Sequence, residues 1–141
     1  MNIGVSIPLP AYLVDPAFMA RTAEDLGFES FWCAEHPFLP VRSASRFPSS
    51  PDGVIPETYA HFVDPFVALA CAAGATRRIK LGTSIVLVPE RHPLLLAKEV
   101  STLDYFSGGR FLFGIGAGWL REETEIMGGD FDHRWTQTRE S

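Results

Sequence analysis

Along this chain a short, β-rich apolar run is followed by a segment with helical spacing four times over, the runs starting near residues 3, 30, 80 and 110. That alternation constrains the fold more than any other feature. Strands joined through helices run parallel, with the helices packed outside the sheet. The runs are "NIGVSIPL" (2–9), "ESFWCAEH" (29–36), "RIKLGTSIVLVP" (78–89) and "RFLFGIGAG" (110–118). The third is continuously apolar rather than alternating, which suits a parallel strand covered on both faces. Between the runs stand helix signals. Asp15-Pro16 and Asp64-Pro65 each pair a capping side chain with a proline at the first helical position, and Gly27 stands where a C-cap glycine belongs. "FVALACAAGA" after Pro65 is apolar on every side, so that helix is expected to be heavily buried. Pro93 opens a helix with apolar residues at 95, 96, 100 and 103, and "WLREETEIMGG" opens a fourth. The expected class is α/β with four parallel strands and alternating helices. A doubly wound sheet and a (β/α)8 barrel both begin this way.

The alternation lapses once, at 37–63, where Pro37, Pro40, Pro48, Pro51 and Pro56 stand among serines with no regular period. The chain is expected to be one partial-barrel domain, 1–141, with this Pro/Ser-rich segment as an insertion. A stretch of this length is a functional loop or a disordered one. Because it follows the second strand, a lid or specificity loop is the functional reading.

Composition excludes several classes. A net charge of −5 gives no basic footprint for nucleic acid. No apolar run is long enough to span a bilayer, and the N-terminus lacks a signal-peptide pattern. Cys33 and Cys71 both lie in apolar segments and are expected to be buried thiols in a reducing compartment. The expected location is the cytoplasm. His61 and His133 have no partners at metal-ligand spacing, so no metal site is expected. Lack of a His-x-His pair on the first strand argues against a metal-dependent barrel hydrolase.

"GRFLFGIGAGWLREE" (109–123) poses a sharper question. Its spacing is G-x-G-x-G in the fourth unit, whereas a dinucleotide fingerprint is G-x-G-x-x-G in the first strand-to-helix turn, and "IPLPAYLVD" there contains no glycine. The pyrophosphate reading fails. Two readings stay open: small residues relieving crowding between strands, or glycines letting a flat ring system approach the strand end.

"GFESFWCAEH", "DPFVALACAAGATRRIKLGTSIVLVPERHPLLLAKEVSTLDYFSGGR" and "FLFGIGAGWLREETEIMG" together resemble the luciferase-like monooxygenase superfamily, and within it the branch of probable oxidoreductases that use the deazaflavin coenzyme F420. The resemblance covers nearly the whole chain except the proline-rich segment. It implies a (β/α)8 barrel, of which these four units are the N-terminal half, since a whole barrel typically needs about 250 residues. It implies a non-proline cis peptide at Ser84-Ile85 backing the cofactor ring, and cofactor contacts from Glu35, His36, Ser84, Ile85, Gly116, Ala117 and Gly118. His36 is the implied catalytic acid/base, work that suits an imidazole. Trp119 stands where some deazaflavin dehydrogenases carry a second acid/base glutamate, which puts a two-group mechanism in doubt and points to a wall of the substrate pocket.

The implied activity is hydride transfer between F420 and a small organic substrate. The alternatives are an FMN-dependent monooxygenase of the same superfamily, or a non-catalytic half-barrel that self-associates. Exposed edges of a half-barrel favour a homo-oligomer, with weak or absent catalysis by the chain alone. Glu122 and Glu123 read as charges favouring a helix N-terminus, and Arg91-His92 as surface residues.

Overall fold

The computed structural model describes residues 3–6 and 14–141. Strands β1 (Gly4–Ser6), β2 (Ser30–Cys33), β3 (Lys80–Thr83) and β5 (Phe111–Leu112) form one parallel sheet in that order. Two shorter strands, β4 (Val86–Leu87) and β6 (Ile115–Gly116), pair in parallel beyond it. The helices are α1 (Pro16–Asp25), α2 (Pro65–Ala75), α3 (Pro93–Ser107), α4 (Arg121–Ile126) and α5 (Arg134–Glu140).

Strand order decides between the two architectures left open by the sequence. A doubly wound sheet reverses direction at a switch point and carries helices on both faces. Here the strands follow one another without reversal, and α1 packs on α2 and α2 on α3, in a single outer layer. The fold is α/β, an arc of a (β/α)8 barrel.

Local chemistry starts the helices where the sequence predicts. Asp15 Oδ1 accepts from the Ala17 amide at 2.9 Å, and Asp64 Oδ1 from the Val67 amide at 2.9 Å. Phe31, Leu69, Ala72, Leu81 and Leu103 close the core between sheet and helices. The Glu24 carboxylate ties α1 to the entry of β3 by accepting from the Arg78 and Ile79 amides at 2.6 and 2.8 Å.

Several expectations need correction. The third and fourth apolar runs are each two strands, broken at Ser84-Ile85 and at Phe113-Gly114, because the chain there turns its backbone toward its neighbours rather than along the ladder: Ser84 donates its amide to Cys33 O at 2.7 Å and Val86 to Gly114 O at 2.9 Å. Of the first run, only Gly4–Ser6 is described as strand, and 7–9 lie outside the described residues. Helix α2 is buried along Phe66, Leu69, Ala72 and Ala73, but Val67, Cys71 and Gly74 face outward, so Cys71 is not a buried thiol. Cys33 is the sequestered one, and burial pushes its thiol up to about 12. The 37–63 segment holds turns and a 3₁₀ turn at Glu57–His61.

Candidate active site

Strand ends bring the expected residues together. A cleft of about 500 Å³ is lined by Glu35 and His36 after β2, Ser84 and Ile85 between β3 and β4, and Gly116, Ala117, Gly118 and Trp119 from β6 onward. Its volume is that of an ordinary small-molecule site. A larger groove, about 700 Å³, lies elsewhere, between the outer faces of α2 and α3. That groove sets exposed apolar side chains, Val67 and Phe106 among them, beside Asp64, Lys98, Glu99 and Thr102, and none of the expected site residues lies in it.

The peptide bond Ser84-Ile85 is cis. Two of the loop glycines sit where a side chain would collide with the chain itself. A Cβ on Gly114 would lie 2.1 Å from Thr83 O, a backbone atom that cannot retreat. Thr83 Oγ1 also donates to Gly114 O at 2.8 Å and accepts from its amide at 3.0 Å, so the two strands touch backbone to side chain. Gly114 relieves crowding. A Cβ on Gly116 would lie 1.9 Å from Ile85 Cδ1. Gly116 lets the Ile85 side chain lie close against β6, and that side chain forms part of the cleft wall.

Glu35 and His36 are both buried, at 5% and 9% exposure. The Glu35 carboxylate accepts from the Leu87 amide at 2.6 Å and from Arg91 Nε at 2.9 Å, with Arg91 Nη2 on the same oxygen. Burial pushes the Glu35 carboxyl above the usual range, and the Arg91 fork and Leu87 amide act against that. Burial pulls the Arg91 guanidinium down, but its bonds to Glu35 and Asp64 outweigh the effect and raise it. Three donors converge on Glu35 and no acceptor does, so the pair reads as ionic. Arg91 is therefore no surface residue: it also reaches Asp64 at 2.7 Å and Glu99 at 2.9 Å, and lies 5.0 Å over the Phe66 ring.

His36 Nδ1 bonds to Glu123 Oε2 at 2.8 Å, and Glu123 is fully buried. Glu123 is thus the partner of the expected acid/base rather than a charge exposed at a helix start. A carboxylate only accepts, so Nδ1–H donates to it and Nε2 is left for a ligand. Glu122 is likewise more than a helix-start charge. It accepts from Ser45 Oγ at 2.7 Å, the Ala44 amide at 2.7 Å and Ser43 Oγ at 3.0 Å, and these bonds, the Ser45 hydroxyl foremost, hold its carboxyl down at about 2.

Aromatic rings close the site from the 37–63 side. Tyr59 and Phe62 lie 5.2 and 5.9 Å from the His36 ring, Trp119 lies 5.7 Å from it, and Phe47 bridges Tyr59 and Trp119. Tyr59, Phe62 and Trp135 of α5 line the cleft without having been singled out in the sequence. Among the described residues no helix is long and apolar enough to cross a membrane, and no group of three or more His, Cys, Asp or Glu side chains is placed to hold a metal.

The buried histidine–carboxylate pair and the glycine-lined cleft lie at the C-terminal ends of the parallel strands, the end at which (β/α)8 barrels carry their sites. The sequence matches the luciferase-like monooxygenase family over residues 10–141, and the chain belongs to that family. It is 38% identical over 128 residues to a protein of Mycobacterium tuberculosis, covering 90% of this chain and 45% of that one. In structure it is similar to the monooxygenase RslO1 of Streptomyces bottropensis (TM-score 0.77, 28% identity, 99% of this chain and 40% of that one). It is also similar to the coenzyme F420-dependent tetrahydromethanopterin reductase of Methanopyrus kandleri (TM-score 0.62, 30% identity, 92% and 30%). The chain therefore spans less than half the length of each of these relatives.

Proposed function

We propose that the protein is a deazaflavin-dependent oxidoreductase that passes hydride between coenzyme F420 and a small organic substrate. The observation that carries this reading is the cleft itself. Apolar Ile85, Leu87, Ile115 and Ala117 line it together with the polar Glu35, His36 and Ser84, and Gly116 lets the Ile85 side chain lie close against β6. A flat heteroaromatic ring with polar edges fits such a surface. Glu35, Ser84, Ile85, Gly116, Ala117 and Gly118 would hold it, and F420, when bound, supplies or takes up the hydride.

The rest is the work of the chain's own side chains. His36 holds or moves a proton at Nε2, where charge develops on a substrate oxygen or nitrogen, and Glu123 keeps the ring oriented through Nδ1. Trp119, Tyr59 and Phe62 exclude water, with the 37–63 segment acting as a lid on substrate choice. Arg91 anchors Glu35, so the strand end does not yield when a ligand enters.

An FMN-dependent monooxygenase is the second reading. It is favoured by the likeness to RslO1 and by Trp119, which stands where a second acid/base group of a dehydrogenase would be. Titrating the protein with F420 and with FMN, followed by absorption and fluorescence, tests both. Saturable perturbation of the F420 spectrum alone supports the first reading, of FMN alone the second, and of neither defeats both. Pairing with a second copy through the apolar α2–α3 groove belongs to the same proposal.

A further inference from the structure

Behind His36 lies a second buried carboxyl that the proposed chemistry leaves unused. Glu90 closes the 3₁₀ turn Val88–Glu90 that follows β4 and is 4% exposed. Its Oε1 accepts from Thr124 Oγ1 at 2.8 Å, and Thr124 is the residue after Glu123 on α4. Two buried side-chain oxygens have no hydrogen-bond partner among the described residues, Glu90 Oε2 and Glu123 Oε1, one on each of these carboxyls. A bare acceptor in a dry interior is unfavourable, and two ionised carboxylates that repel each other are more so. A proton on Glu90 changes both terms at once. It turns an orphaned acceptor into a donor and removes one of two like charges.

We propose that Glu90 and Glu123 carry one negative charge between them, with Glu90 the protonated member, and that Glu90 is thereby a positioning residue that reserves the Glu123 carboxylate for His36 Nδ1–H. The surroundings agree. Burial first and the Glu123 charge second push the Glu90 carboxyl up to about 8, with Glu35 adding to the effect while Thr124 and Arg91 oppose it. Arg91, the cation that acts on Glu90, is already committed, since it spends its fork on Glu35, Asp64 and Glu99. From α5, Arg134 donates to the carbonyls of Gly118 and Phe131 rather than to either carboxylate. His36 is the group left for Glu123. Seen from the cleft, a neutral Glu90 keeps the Glu123 carboxylate on Nδ1–H, which fixes the ring's orientation and leaves Nε2 toward the ligand.

This inference rests on His36 being the acid/base of the proposed function, yet its test uses no cofactor. Infrared spectra of the protein labelled with ¹³C-glutamate should show a protonated carboxyl at pH 7, with half its intensity lost near pH 8. Glu90→Gln should abolish that band, and the step in the His36 ¹⁵N shifts that accompanies its loss in wild type should vanish in Glu90→Gln. A wild-type protein with no protonated carboxyl at pH 7 overturns the proposal, as does a band that survives in Glu90→Gln, or His36 shifts indifferent to the transition. Should Glu90→Gln fold poorly by circular dichroism, the wild-type infrared and ¹⁵N titrations still decide. Failure to bind F420 or FMN would sink the functional reading alone.

Discussion

His36 Nδ1 lies 2.8 Å from Glu123 Oε2, across 87 residues of sequence, in a contact sealed from solvent on both sides. The strand-2 end and the fourth helix are thereby fixed to each other at the point where the cleft opens. A buried carboxylate that loses its histidine, or a histidine that loses its carboxylate, is left with an uncompensated polar group.

Glu123→Ala should therefore destabilise the fold by about 2–5 kcal/mol, since it leaves the buried His36 Nδ1–H unpaired and opens a cavity. Glu123→Gln keeps shape and an acceptor and should cost about 1–3 kcal/mol. Urea denaturation of both variants measures the gap. Equal, near-zero effects would mean that the pair is not formed in solution. In the enzyme, His36→Ala should lower turnover by about 10²–10⁴-fold, the usual share of general acid–base catalysis.

The two glycines should separate by substitution. Gly114→Ala drives a Cβ onto Thr83 O, a backbone atom, and should cost about 3 kcal/mol or more. Gly116→Ala meets the Ile85 side chain, hardest at its Cδ1 tip, and that side chain can swing away into the cleft. It should cost about 1 kcal/mol in stability yet weaken binding of the flavin-type cofactor about tenfold. Thermal melts paired with a binding titration distinguish them. Similar melting losses for both would remove the distinction drawn between crowding and ligand approach.

How much of this was legible in the sequence follows the range of the forces involved. Asp15 and Asp64 are readable because a cap acts within three residues, and the barrel arc because alternation of period is local. His36, Ser84, Ile85 and Gly116 were found through a family likeness whose segments keep their order. Glu123 and Glu122 do stand in the first turn of α4, but local rules stop at the helix dipole there, and they assign Arg91, in an Arg-His before a helix, to the surface, so none of the three long-range partnerships is legible. Their partners, His36, Ser45 and Glu35, lie 87, 77 and 56 residues away. Cys71 was misread because an apolar helix does not reveal which of its faces the sheet covers. The breaks at Ser84-Ile85 and Phe113-Gly114 fall inside continuous apolar runs, which carry no mark of where a ladder stops.

Removing Arg91 should unsettle the cleft from below. Arg91→Ala strips the fork from Glu35, whose side chain is 2% exposed, and should cost about 3–5 kcal/mol. Arg91→Lys restores the charge but not the two-pronged geometry and should recover only part of it. Denaturant midpoints of the two variants test this, and a lysine variant as stable as wild type would show that charge alone suffices.

The α2–α3 groove should govern self-association. Val67 and Phe106, 64% and 76% exposed, line it on opposite helices. Large exposed apolar side chains gathered in one groove mark an interaction surface. Sedimentation velocity should find a dimer for wild type and a monomer for Val67→Glu. A wild-type monomer at high micromolar concentration would end the homo-oligomer proposal.

Glu122 should make the 37–63 segment acid-labile. Its carboxyl is held at about 2 by the Ser45 hydroxyl and the neighbouring donors, against an ordinary value of 4.5. A folded-state value below the unfolded one means that this anchorage is complete above about pH 4.5 and is lost as pH falls toward 2. Ionised Glu122 holds the Ala44 and Ser45 amides, while the protonated form is a weaker acceptor for both. Hydrogen exchange of those two amides should accelerate about tenfold, relative to the α2 amides, in Glu122→Gln at neutral pH. Between pH 4.5 and 2 the wild type should approach the variant's relative protection. If the two amides exchange alike in wild type and Glu122→Gln at neutral pH, Glu122 is not the latch, and the loop is held by the Phe47, Tyr59 and Trp119 rings instead.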